Sequence, residues 1–122
     1  MDRNRNVIVL ASAARTATNT SLDVQNIWYR GLHVVFDVTA VPGVDTVTLT
    51  IQGKNPLTGA YYTLLAGAAV STAVANVYKV YPGLPATANV SANDIVPPEW
   101  RVSIAHSAAS SFTYSVTASM VL

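Results

Sequence analysis

The chain has 122 residues, 51% of them hydrophobic and 11% charged, and its 7 Lys+Arg against 6 Asp+Glu leave a formal net charge of +1. High hydrophobicity with almost no net charge excludes a disordered segment, and so even a balance excludes general electrostatic capture of nucleic acid or acidic membranes. The absence of cysteine excludes a disulfide scaffold, a zinc knuckle and a thiolate nucleophile.

The length suits one domain over residues 1–122. Met1 to Asn6 reads as a short polar arm, about residues 1–6, ahead of a first strand that begins Val7-Ile8-Val9-Leu10. That apolar run is too short for a secretory leader, whose core needs roughly 7 to 15 apolar residues. Thr16 to Ile27 has no clear period and is expected to be mostly loop. Leu32, Val34, Phe36 and Val38 alternate with His33 and Asp37, which predicts a strand despite the break at Val35. After the turn signal Val41-Pro42-Gly43, Thr46 to Gln52 alternates strictly, with Val47, Leu49 and Ile51 on one face and threonines on the other. Asn55 to Gly59 contains both Pro and Gly and predicts a hairpin into Tyr61-Tyr62-Thr63-Leu64-Leu65.

Tyr61 to Tyr78 is uncharged and reaches the lower length limit of a membrane span. It is mostly alanine interrupted by Gly67, Ser71, Thr72 and Asn76, so lipid transfer gains little and no span is expected. Val74 to Tyr81 predicts another strand. Beyond the turns at Tyr81-Pro82-Gly83-Leu84-Pro85 and Val96-Pro97-Pro98-Glu99, Trp100, Val102 and Ile104 alternate with Arg101 and Ser103. Phe112 to Met120 then repeats the device with Thr and Ser on the outer face. Abundant Val (18) and Thr (13) support the same reading. The expected fold is all-β: a single-domain antiparallel β-sandwich or barrel, jelly-roll-like, of about seven or eight strands.

Catalysis needs titratable groups brought together, and the whole supply is Asp2, Asp23, Asp37, Asp45, Asp94, Glu99, His33 and His106. His33 and Asp37 share a strand face, but four residues at 3.3 Å each separate them by about 13 Å. No Gly-x-Ser-x-Gly elbow exists, neither histidine sits in a metal-ligand spacing, and Gly53-Lys54 lacks the rest of a phosphate loop. The chain is therefore expected to be no enzyme, with no metal and no cofactor. Asn19-Thr20-Ser21 and Asn89-Val90-Ser91 fit the glycosylation triplet, which arises by chance in Ser/Thr-rich chains. Arg3, Arg5, Asn6 and Arg15 are the candidate partner-binding residues, as a basic arm for an acidic protein surface. Trp28, Tyr29, Tyr61, Tyr62, Tyr78 and Tyr81 are candidates for a sugar-stacking platform, because flat rings match pyranose faces. Trp28 and Trp100 are expected to anchor the core.

Several stretches carry a resemblance: Val9-Leu10-Ala11-Ser12-Ala13-Ala14-Arg15-Thr16, Arg30-Gly31-Leu32-His33, Ile51-Gln52-Gly53-Lys54-Asn55-Pro56, Tyr61-Tyr62-Thr63-Leu64-Leu65, Tyr81-Pro82-Gly83-Leu84 and Pro98-Glu99-Trp100-Arg101-Val102. Together, over nearly the whole chain, they resemble small structural proteins of tailed bacteriophages of the head decoration type. The resemblance implies a β-sandwich on the capsid surface of the virion that binds the major capsid protein and reinforces the shell, as a homo-oligomer with a trimer favoured. It implies no nucleic-acid or membrane partner and transfers no functional residue, since the matching motifs are turns and core strands. The composition agrees independently, because interface cores are depleted in Lys, Glu and Asp. The N-terminal arm and the uncharged Ala66 to Ala75 region are expected to contribute contacts. A tail, neck or head-fibre-base position and a carbohydrate-binding sandwich are the rival expectations.

Overall fold

The computed structural model describes residues 4–122. It contains ten strand segments: β1 (Arg5–Arg15), β2 (Asn19–Thr20), β3 (Val24–Gln25), β4 (Gly31–Ala40), β5 (Val47–Lys54), β6 (Tyr61–Ala66), β7 (Ala75–Val80), β8 (Ser91–Ala92), β9 (Glu99–His106) and β10 (Phe112–Val121). Seven of them have six residues or more, and β2, β3 and β8 have two each. Among the described residues there is no helix, and hence none long and apolar enough to cross a membrane.

The first sheet runs β1-β10-β4-β7-β8, and the second runs β2-β9-β5-β6 with β3 also on β9. The pairings nest: β5 with β6, β4 with β7, β2 and β3 with β9, and β1 with β10. With β2 and β3 counted as one interrupted strand, this is the jelly-roll order, a long hairpin folded over into two sheets. One pairing departs from the antiparallel expectation. β8 lies parallel to β7, since the chain leaves β7 through the Tyr81–Pro85 turn and loops round to return in the same direction.

Alternation decides which side chains meet between the sheets. Leu32, Val34, Phe36 and Val38 from β4 and Phe112, Tyr114, Val116, Ala118 and Met120 from β10 face Val47, Leu49 and Ile51 from β5 and Trp100, Val102 and Ile104 from β9. All are buried. Phe36 and Tyr114 meet edge to face at 5.2 Å between ring centroids, the geometry that aromatic quadrupoles favour. Gly53 has a specific place in this packing. It pairs with Tyr62 on one side and Trp100 on the other, and a Cβ there would lie 2.6 Å from the Tyr62 ring and 2.8 Å from Pro97. Tyr62 therefore covers the gap that the glycine leaves. The hairpin at Asn55 to Gly59 forms because Asn55 Oδ1 accepts the Leu57 N–H at 2.9 Å and Gly59 takes a φ of 75°.

Two expectations are corrected. Arg5 and Asn6 do not belong to an arm: they open β1, opposite Met120 and Ser119. Trp28 is not a core residue but 67% exposed, because it sits in the loop between β3 and β4 with no strand to turn it inward; Trp100, held by the β9 alternation, is fully buried.

Candidate interaction faces

The outer face of the second sheet gathers charge. Strict alternation on β5 turns Gln52 and Lys54 outward, and on β9 it turns Glu99 and Arg101 outward. Register brings Tyr61 of β6 beside Lys54, and the turn between β2 and β3 delivers Asp23. Lys54 Nζ lies 2.9 Å from Asp23 Oδ2 and 3.7 Å from Glu99, while the Tyr61 hydroxyl donates to Asp23 Oδ1 at 2.7 Å. The Arg101 guanidinium stacks 3.4 Å from the Tyr61 ring centroid and donates through Nε to Gln52 Oε1 at 2.8 Å. The Tyr61 and Lys54 hydrogen bonds hold the Asp23 carboxyl below its usual range, and the same carboxylate raises both Tyr61 and Lys54. This face satisfies its own charges.

The outer face of the first sheet is different in kind. It presents Ser115, Thr117 and Ser119 from β10, His33 and Val35 from β4, and Val77 from β7, with Asp37 and Lys79 one step to either side of the Val35/Val77 pair. At the β1 side, Asn6, Ile8, His33, Val35, Thr117 and Ser119 line an open groove of about 510 Å³. Ile8 is 73% exposed there, and Ser119 Oγ donates to Asn6 Oδ1 at 2.7 Å.

Between the sheets, at the end where β1 closes, lies a polar cluster. Tyr114 points inward from β10; its oxygen receives Asn19 Nδ2–H at 2.6 Å and shares a hydrogen bond with His106 Nε2 at 2.8 Å. His106 Nδ1, on the other side of the ring, is buried without a hydrogen-bond partner. Burial lowers the His106 pKa; the Ser110 backbone opposes that shift, and the nearby Arg15 charge adds to it. Ser110 Oγ donates to Asp45, not to His106, so no serine–histidine–carboxylate relay is assembled there. Among the described residues no group of three or more His, Asp or Glu is placed to hold a metal.

Of the residues singled out from sequence, Arg3 lies outside the described residues. Arg5 and Asn6 lie on the exposed start of β1. Arg15 is engaged internally: its guanidinium donates to the carbonyls of Ala11 at 2.7 Å, Ala13 at 3.3 Å and Tyr114 at 2.8 Å and packs 4.8 Å from the Tyr114 ring centroid. It thereby braces the second of the two register shifts between β1 and β10, the one between Leu10 and Ala13. The aromatics are not brought into one platform. Tyr78 is buried, Tyr61 is taken up by the charge network, Tyr62 covers Gly53, and Tyr81 donates to the Leu122 carbonyl; only Trp28 and Tyr29 are neighbours, at 6.3 Å. The charge network went unforeseen, although alternation on β5 and β9 already placed its members outward.

No protein-family model and no curated protein matches the chain. Among solved structures, it is similar to a chain of infectious bursal disease virus Gt strain over 98% of its own length and 33% of that chain, at 13% identity and a TM-score of 0.53. A chain of the Gx strain is similar over 97% and 32%, at 15% identity and a TM-score of 0.50. A subunit of Bacillus endospore appendages, a family of disulfide-linked pili, aligns over 98% and 87% at 13% identity and a TM-score of 0.49. The chain thus spans about a third of the length of the two virus chains, and at these identities the likeness is one of fold.

Proposed function

We propose that this chain is a non-enzymatic structural protein of a virion, a decoration protein that sits on the capsid surface, binds the major capsid protein and reinforces the shell. The observation that carries the reading is the outer face of the first sheet. It is a broad strand surface of hydroxyls, valines and Ile8, with a groove and few charges, as the core of a protein–protein contact requires. The fold, shared with chains from a virus, supports a virion role, and the resemblance to tailed-phage head proteins supplies the capsid position and the homo-oligomer, a trimer being favoured.

Electron microscopy of purified virions of the virus that encodes the chain tests this. A decoration protein is present in hundreds of copies on the head lattice, on symmetry grounds roughly comparable to the major capsid protein. A handful of copies at the tail, neck or fibre base would replace this reading with the rival virion position. Absence from the particle together with binding on a glycan array would replace it with a carbohydrate module.

A further inference from the structure

We infer that His106 is an acid-sensitive latch on the crossover between the two sheets, and that protonating its ring releases Thr16 to Thr20 while the rest of the sandwich stays folded. This goes beyond the virion reading and stands or falls independently of it.

The crossover is the stretch in which the chain leaves β1 in the first sheet and enters β2 in the second. Apolar packing does not hold it: no residue from Thr16 to Thr20 contributes to the core, and β2 pairs with β9 over only two residues. What fastens it is polar and converges on His106. The His106 backbone N–H donates to Thr18 Oγ1 at 3.0 Å. Its ring shares the Tyr114 oxygen with Asn19 Nδ2, which also donates to the Ala17 carbonyl at 3.3 Å. One phenol oxygen thus ties β10 of the first sheet to β2 and β9 of the second.

This cluster fits a neutral ring and not a charged one. A neutral imidazole has one N–H and one acceptor nitrogen, and a hydroxyl at Nε2 suits either tautomer because it can donate or accept. An imidazolium has two N–H donors. Nε2–H would then claim the Tyr114 oxygen beside Asn19 Nδ2–H, and the phenol, which burial keeps protonated, would need a new acceptor for its own proton. Asn19 Oδ1 is buried and, among the described residues, unpartnered, but turning the amide over to offer it would set that oxygen against the Ala17 carbonyl. On the other side of the ring, Nδ1–H would be a buried donor with no acceptor, at the full desolvation cost of such a group.

The surrounding charges push the same way. From β1, the Arg15 guanidinium lies 4.8 Å from the centroid of the Tyr114 ring and repels a second cation. From β10, the Phe112 and Tyr114 rings stand 5.8 and 5.7 Å from the imidazole, and from β5 the residue opposite is Val47; none of these brings a negative charge. In the turn between β9 and β10, the Ser110 backbone favours the charged ring, but the carboxylate of Asp45, before β5, is already taken by the Ser110 hydroxyl. Releasing the crossover hydrates the ring and lets it titrate as an ordinary histidine, so acid favours the open form.

Hydrogen exchange of the intact chain at pH 7.5 and pH 5.0, read peptide by peptide and corrected for the intrinsic exchange rate, tests this. A peptide covering residues 16–20 is expected to lose protection by at least about fivefold at pH 5.0, with a ceiling of roughly thirtyfold set by an ordinary histidine titrating near 6.5, while peptides from β5 and β6 keep theirs. His106→Gln is expected to abolish the difference between the two pH values, and His33→Gln, on the outer face of β4, to leave it in place. Equal loss across all peptides, no loss over 16–20, or the same response in His106→Gln overturns the inference. The first two outcomes are read on the unmodified chain, so they decide it even where His106→Gln fails to fold.

Discussion

The two outer faces of this sandwich rest on one core and use the same alternation, yet they spend their outward positions differently. On the second sheet, Asp23, Lys54, Glu99, Arg101 and Tyr61 neutralise one another over a few strand positions. On the first, Asn6, Ile8, His33, Val35, Thr117 and Ser119 line a groove that contains no Asp, Glu, Lys or Arg. A low overall charge fraction is therefore not spread evenly. One face is closed electrostatically to new partners, and the other has little to desolvate when a partner arrives.

The largest effect tests what the faces share. Trp100→Ala removes the biggest fully buried side chain and is expected to cost about 3 to 5 kcal/mol in chemical denaturation, disturbing both faces at once. Next, Ile8→Lys combined with Val35→Lys is expected to reduce the proposed capsid binding by at least about tenfold while leaving the melting temperature nearly unchanged, because both residues point away from the core. Equal loss from Arg101→Ala would erase the distinction between the faces. That variant is expected to leave capsid binding intact and to cost about 1 kcal/mol, since it loses one hydrogen bond and one stacked cation at the surface.

The smallest effects come from pH. His106 is held neutral by burial, with its pKa below the ordinary value, so below about 6.5 the unfolded chain takes up a proton that the folded chain resists. Stability is full above that pH and falls as the pH drops toward the folded value. Thermal melts between pH 7.5 and 5 are expected to show this decline, and His106→Gln to flatten it. Asp23 adds a second decline of the same sign at lower pH, below the ordinary carboxylate range, where its bonds to Tyr61 and Lys54 lose their charge.

The sandwich was legible where one face of a strand is buried and the other is not. Thr46 to Gln52, Trp100 to Ile104 and Phe112 to Met120 state their orientation residue by residue, because a period of two has no other explanation. Cross-strand register was not legible, since it depends on partners more than a hundred residues away, as with Arg5 and Met120. Arg15 therefore read as a free cation, although its guanidinium is held by the carbonyls of Ala11, Ala13 and Tyr114. Trp28 misled for another reason: hydrophobicity predicts burial only where a strand or helix turns the side chain inward, and the loop after β3 does not.

The nested order of the strands also sets a sequence of events. The β5–β6 hairpin closes a short loop, each outer pair closes a longer one, and the last joins residues 5 and 120. Loop entropy grows only slowly with length, so once the centre has formed each further pair is added onto a platform that is already in place. β1 is then the last strand to join and the first to leave. Its departure breaks the pairing with β10 and the Arg15 contacts but leaves the β4, β5 and β9 side of the core assembled, so the chain can lose this edge strand reversibly without unfolding.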